Sequence, residues 1–227
     1  MAQIHFTPQM RRMSKTPQID GPAAALREAL DAAFKESPRL RGYLLDDGVN
    51  WRLSARGMGA DFMPEARAED ENIQGPHLIA PCAGPPEQLR WQHHNGIWNS
   101  NDNAIHWERV GTAPVSSCGC AVVVHPTRGN TTWFVHAIAE QTRVPAGAAL
   151  IVSRTTDGGQ SFETLRNGLR QADCYDLIYR HALCVDATGQ RLLLGSTTGS
   201  CSSSDDSGDR WHPVAAQLPP IHATCTD

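Results

Sequence analysis

The stretch "RTTDGGQSF" at residues 154–162 reads as a glycine-rich turn between two strands, and "SSSDDSGDRW" at 202–211 repeats it. Aligned, Thr155-x-Asp157-x-Gly159-x-Ser161-Phe162 and Ser204-x-Asp206-x-Gly208-x-Arg210-Trp211 place a hydroxyl, a carboxylate, a glycine and an aromatic at the same offsets. The Asp carboxylate and the hydroxyl suit capping of backbone N–H groups in a tight turn, and glycine supplies a positive φ. The aromatic is suited to drop back between neighbouring sheets. The template also fits "SNDNAIHW" (100–107), with Ala104 in place of glycine. It fits "LLDDGVNW" (44–51) too, with Leu44 in place of the hydroxyl. The box carboxylates are therefore Asp46, Asp102, Asp157 and Asp206, all in structural roles. The closing aromatics at 51, 107, 162 and 211 step by 56, 55 and 49 residues, a period of sheet blades rather than of helical repeats.

Between the boxes, "GCAVVVHP" (119–126), "TTWFVHAI" (131–138) and "AALIVSRT" (148–155) are β-branched and aromatic runs bounded by turn residues, and 181–204 repeats their order. Each blade is expected to hold four antiparallel strands A to D, with the box as the C-to-D turn. The fold class expected is an all-β propeller with four recognisable blades over 41–227. Residues 1–40 form a separate, partly helical extension: "DGPAAALREALDAAFKESPRL" offers Asp20 as an N-cap, Pro22 in the first turn and Leu26, Leu30 and Phe34 at helical spacing. The last residues, "IHATCTD", stand where a further inner strand belongs, although they are polar.

Composition narrows the function. The net charge of −4 gives no bulk attraction to nucleic acid or to anionic membrane, and no apolar run is long enough to span a bilayer. The start lacks the apolar stretch of a secretory signal, and seven cysteines are an odd number, so reduced thiols in a cytoplasm are expected. Phosphate-binding glycine loops and nucleophile elbows are absent, and no cofactor is expected.

Strand alternation sorts the loops. A-to-B turns and boxes share one rim, while B-to-C turns and D-to-A crossings share the other. The loops "MPEARAEDENIQGPH" (63–77), "QHHN" (92–95), "AEQTRVPAG" (139–147) and "CYDLIYRH" (174–181) all fall on the rim opposite the boxes. There Arg67, Arg143 and Arg180 are suited to grip a carboxylate, or else pair with Glu69, Asp70, Glu140 or Asp176. Asp176 with Tyr179, and Glu65, are the catalytic candidates, since a carboxylate beside a phenol can activate it and a second carboxyl can act as acid or base. Tyr175 stands beside them. Asn72, His77, Gln92, His93, His94, Glu140 and His181 complete the candidate ligand-binding set. His93 and His94 point to opposite sides of a strand end, so at most one faces the channel, the alternative being a surface or packing role. His93, His94, His136 and His181 read either as ligands of one metal or as packed histidines, and Cys118 and Cys120 either as ligands or as packed thiols. Ligand spacings such as Cys-x-x-Cys are missing, so no metal is expected.

The boxes, together with "WQHHNGIW", "TTWFVHAIAEQTRVP", "YDLIYRHALCVD" and "LLLGSTTG", resemble the Asp-box (BNR-repeat) sialidase-like propellers, the bacterial "glycosyl hydrolase" or YVTN-BNR-like group, of which the chain looks like a shortened member. The likeness covers 57–222, is looser over 42–56 and is absent before about 40. It implies a small polar or carbohydrate-like ligand at the channel mouth, with glycosidic bond hydrolysis as the chemistry. Sialidases carry an Arg-Ile-Pro-like motif before the first box; here the only similar triplet, "RVP" at 143–145, lies in another blade, and no complete catalytic set transfers. The other readings are a non-catalytic scaffold binding a protein partner on the same rim, and an inactive shortened member.

Overall fold

The computed structural model describes residues 2–5, 18–21, 26–36, 53–82, 88–111, 115–116, 118–138 and 143–226. The box at 44–51, with Asp46, and the loop residue Glu140 lie outside them. The chain divides into two compact units, residues 1–53 and 54–227.

In the first unit, β1 (Ala2–His5) pairs antiparallel with β2 (Gln18–Gly21), and α1 spans Leu26–Glu36. The helix is built from good helix formers, with Glu28 in its first turn and Lys35 in its last, each matching the helix dipole. Its Ala33 and Phe34 are buried. The expected helix start is corrected: Asp20 sits in β2 opposite Gln3, because strand pairing claims it before the helix begins.

The second unit is three four-stranded antiparallel sheets, each in chain order. The first is β3 (Pro76–Pro81), β4 (Leu89–His93), β5 (Gly96–Ser100) and β6 (Glu108–Arg109). The second is β7 (Gly119–Val124), β8 (Thr132–His136), β9 (Val152–Thr155) and β10 (Glu163–Leu165). The third is β11 (Leu183–Val185), β12 (Leu192–Gly195), β13 (Cys201–Ser204) and β14 (His212–Ala215). The innermost strand β7 packs against both β3 and β11, so the first strands gather at a shared axis. Against the four blades expected, the described residues hold three such sheets.

Period-two alternation explains the packing. In the middle sheet Ala121, Trp133 and Val135 point toward Leu183, Leu192, Leu194 and Trp211 of the third sheet. Val122, Val124 and Phe134 point the other way, toward Ala80 and Ile97 of the first. All five residues of β8 are consequently buried. The free face of the first sheet is covered from within the same unit: Ala55 and Met58 pack on Trp91, Trp98 and Trp107, and Trp107 Nε1 donates to Ser54 O at 2.7 Å. On the third sheet, the segment after β14 gives one parallel bridge, His181 to Ala223, rather than the further strand expected.

Each turn at 100–107, 155–162 and 204–211 joins the third and fourth strands of its sheet. Thr155 Oγ1 donates to Asp157 Oδ1 at 2.8 Å and accepts from Gly159 N at 2.8 Å, while Asp157 Oδ1 accepts from Gln160 N and Ser161 N, both at 2.9 Å. Ser100–Asp102 and Ser204–Asp206 repeat the arrangement at 2.8 Å. Hydrogen bonds led by the Ser161 hydroxyl hold the Asp157 carboxyl below the usual carboxylate range. Two successive residues per turn are left-handed, Asn103 and Ala104, Gly158 and Gly159, Ser207 and Gly208, with φ from 58° to 99°. The A-to-B turns share this end, since Gly158 N donates to Asn130 O (3.0 Å) and Ser207 N to Gln190 O (2.8 Å).

Two glycines outside the boxes separate backbone strain from steric clash. Gly168 (φ 84°) and Gly147 (φ 66°) are both left-handed, but a Cβ on Gly168 would collide with the Trp211 carbonyl, whereas one on Gly147 meets nothing within 4 Å. Gly168→Ala is expected to cost at least about 2 kcal/mol and Gly147→Ala about 1 kcal/mol in urea unfolding.

Candidate functional site

At the end opposite the boxes, backbone pairing fixes each loop. Ile138 N donates to Val144 O (2.9 Å) at the base of the β8–β9 connection, and Arg143 stands next to that base with a left-handed φ of 30°. Ala182 N donates to Tyr179 O (3.0 Å), closing the tight turn that carries Arg180 and His181. Two β-bulges complete the rim: β3 slips register between Pro76 and Leu78, and β7 between Gly119 and Ala121. His77 and Cys120 are the extra residues, at matching positions of adjacent inner strands, and a bulge re-aims the side chain it carries.

A cleft of about 330 Å³ opens here, lined by Cys120, Arg143, Tyr179, Arg180, His181 and His222. Among the described residues its wall holds two guanidiniums and two imidazoles and no carboxylate. Tyr179 stacks on His222 with ring centroids 5.3 Å apart. Cys120 is a packed thiol: burial raises its pKa, against the lowering effect of Arg143 and Arg180. Burial also pushes Cys118 up to about 11.

Beside the cleft, His77 Nδ1 lies 2.5 Å from Gly119 O, and its Nε2 lies 3.3 Å from His94 Nε2. Burial lowers the pKa of both imidazoles, and the charges of Arg143 and Arg180 lower them further. His94 is therefore the member of the His93–His94 pair on the channel side. His93 is fully buried among Phe62, Trp91 and Trp98, accepts from Gly75 N at 3.0 Å and contacts the Asn95 amide oxygen. Burial takes its pKa down to about 4.

The remaining candidates lie apart from the cleft wall. Asp176 is buried and accepts from Ser196 Oγ (3.0 Å), Cys174 Sγ (3.2 Å) and Thr198 Oγ1, bracing the β12–β13 turn. Burial opposes its charge, but these hydroxyl and thiol bonds outweigh burial and hold the carboxyl below its ordinary value. Gln92 is buried and donates its amide to His93 O and Gly96 O at 3.4 Å. Arg67 is exposed and ion-paired to Asp70 at 3.0 Å. Glu65, Asn72 and Tyr175 are exposed. Glu71, from the same acidic loop as Glu65, accepts from Ala55 N at 3.2 Å. His136 is buried with both nitrogens engaged, Nδ1 by Ser116 O (2.8 Å) and Nε2 by Ser153 Oγ (2.7 Å). Among the described residues no three His, Cys, Asp or Glu side chains converge as a metal set.

The sequence-based ligand-binding set includes neither His222 nor Cys120, which is read there as a packed thiol. The bulge that turns Cys120 inward depends on pairing register, and His222 is brought in by the hydrogen bonds on either side of it, Ile221 N to Ser196 O (2.9 Å) and Thr224 N to His181 O (2.8 Å).

No protein-family model matches the chain, and no curated protein does. Solved structures do. An ancestral GH74 enzyme aligns with a TM-score of 0.50 at 16% identity over 63% of this chain and 18% of its own. YCF48 bound to D1 peptide gives 0.48 at 16% identity, over 65% and 42%. The GH74 xyloglucanase from Xanthomonas campestris gives 0.46 at 17%, over 74% and 28%. These neighbours are β-propellers, and the likeness to the ancestral GH74 enzyme, with the three four-stranded antiparallel sheets, gives this mainly β chain a β-propeller-like fold. The chain spans under half the length of each of the three. No helix among the described residues is long and apolar enough to cross a membrane.

Burial of His93 and His136, each with its pKa lowered to about 4, has a consequence for acid stability. Near pH 6.5 the unfolded chain takes up protons that these folded imidazoles refuse, so stability present above pH 6.5 is lost as pH falls toward 4. Unfolding free energies from urea titrations are expected to drop steadily from pH 7 to pH 4.5, by up to on the order of 3 kcal/mol per histidine.

Proposed function

We propose that the second unit is a ligand-binding propeller of the Asp-box kind whose cleft opposite the boxes holds a small, polar, carbohydrate-like molecule bearing an anionic group. The observation that carries this reading is the cleft wall itself. Arg143 and Arg180 come from different loops, His181 and His222 add donors, and among the described residues no carboxylate lines the space to repel an anion. Two guanidiniums converging on one cavity favour bidentate capture of a carboxylate or a sulfate. The stacked Tyr179 and His222 rings offer an apolar face to a sugar ring.

Binding without hydrolysis fits the same wall. Glycoside cleavage of the usual kind needs two carboxyl groups about 5 to 10 Å apart across the bond, one kept protonated. Asp176 is spent on the β12–β13 turn with its pKa shifted in the wrong direction for an acid, and Glu65 is exposed on its loop outside the lining. The seven free thiols suit a reducing compartment such as a cytoplasm. A protein partner on the same rim is the second reading, favoured by the exposed Phe62 and Tyr175 at 53% and 60%.

Calorimetric titration with glucuronate and glucose tests the proposal. Glucuronate is expected to bind and glucose to bind at least tenfold more weakly, and Arg143→Gln or Arg180→Gln should each weaken glucuronate at least tenfold. Equal affinity for the acid and the neutral sugar, or turnover of a glycoside panel that Glu65→Gln abolishes, would overturn it.

A further inference from the structure

We propose that His77 and His94 form a proton-sharing pair that couples anion binding in the adjacent cleft to the uptake of one proton, so that the site grips its ligand more tightly as pH falls. This deepens, and rests on, the anion-binding reading of the cleft.

The geometry sets the stoichiometry. Gly119 O can only accept, so at 2.5 Å it fixes the hydrogen of His77 on Nδ1 and leaves Nε2 as a bare lone pair. The 3.3 Å approach of His94 Nε2 must then be an N–H donated by His94. One added proton goes to His94 Nδ1 and leaves this N–H···N contact intact. A second would set two N–H groups against each other, so the pair takes one proton and no more. His94 is half-buried and His77 buried, which makes His94 the member that carries the charge.

The surroundings keep the pair neutral until a ligand arrives. Arg143 on the β8–β9 connection and Arg180 on the β10–β11 crossing act on both imidazoles and disfavour a third cation. Cys118, just before β7, and Cys120 within it present thiols that stay protonated at neutral pH. Across the turn His93 is neutral, and Asp61, from the segment before β3, acts on His93. Phe62 and Gly75 close the remaining side with an aromatic edge and a backbone contact. Burial and two guanidiniums therefore oppose protonation, and an anion between those guanidiniums removes the electrostatic part of that opposition. By linkage, whatever favours the protonated pair is itself bound more tightly when the pair is protonated.

Sulfate is the probe, because its charge is constant from pH 5 to 8, with glucuronate as the carboxylate arm. Titration calorimetry at pH 6 in buffers of different ionisation enthalpy is expected to show uptake approaching one proton per anion bound. Affinity should rise about tenfold between pH 7.5 and 5.5. His94→Gln should abolish the uptake and flatten the pH dependence. Binding without proton uptake, or a His94→Gln protein that keeps the wild-type pH slope, overturns the inference and leaves the cleft as an anion site. Failure of both anions to bind at any pH overturns the inference together with the reading of the cleft.

Discussion

The second unit depends on a hydrogen bond that each sheet makes to the next one's turn. Asn99, the residue before the first described box, donates its Nδ2 to Gly158 O of the second box at 2.7 Å. Arg154, at the same place before the second box, donates Nη1 to Ser207 O of the third at 3.0 Å. Trp133 Nε1 joins on the same carbonyl at 2.8 Å, and Arg154 is held by Glu163 and Asp209. Gly158 and Ser207 occupy the fourth position of their boxes, and both are left-handed. That conformation belongs to the same turn whose carbonyl faces the preceding sheet, so the turn both ends a strand and docks a blade. An unmade bond to a partly buried carbonyl costs about 1–3 kcal/mol, and the contact recurs at each junction.

The boxes were legible because their residue types have few other uses at that spacing. Hydroxyl, carboxylate and closing aromatic each occupy the role their chemistry suits, Trp107 and Trp211 being buried between layers. The fourth position escaped the pattern because Asn103, Gly158 and Ser207 share a backbone conformation and no side-chain type. Asp20 was misplaced for a related reason: an Asp before a helix former reads as a cap, and only its pairing with Gln3 shows otherwise. Coverage of the first sheet by Ala55 and Met58 had no signal in a stretch without periodicity.

The site was half legible. Strand alternation alone sends Arg143, Arg180, His181, His77 and His94 to one end, because hairpin polarity permits nothing else. Whether a polar side chain is open or already engaged depends on contacts between blades. Asp176 and His93 carry the chemistry of functional residues and spend it on a turn and on Gly75 N. Cys120 carries no such mark and is turned into the cleft by one extra residue in a strand.

The middle sheet is the one described layer with sheets on both faces, and β8 has no exposed residue. The first sheet has its other face covered by the irregular segment that carries Ala55 and Met58. A stack of this kind melts as a short one-dimensional lattice does, from its ends inward, because a terminal layer breaks one interface and the central layer two. Amide protons of Thr132 to His136 should accordingly exchange only through opening of the entire stack, while those of β14 escape by local fraying.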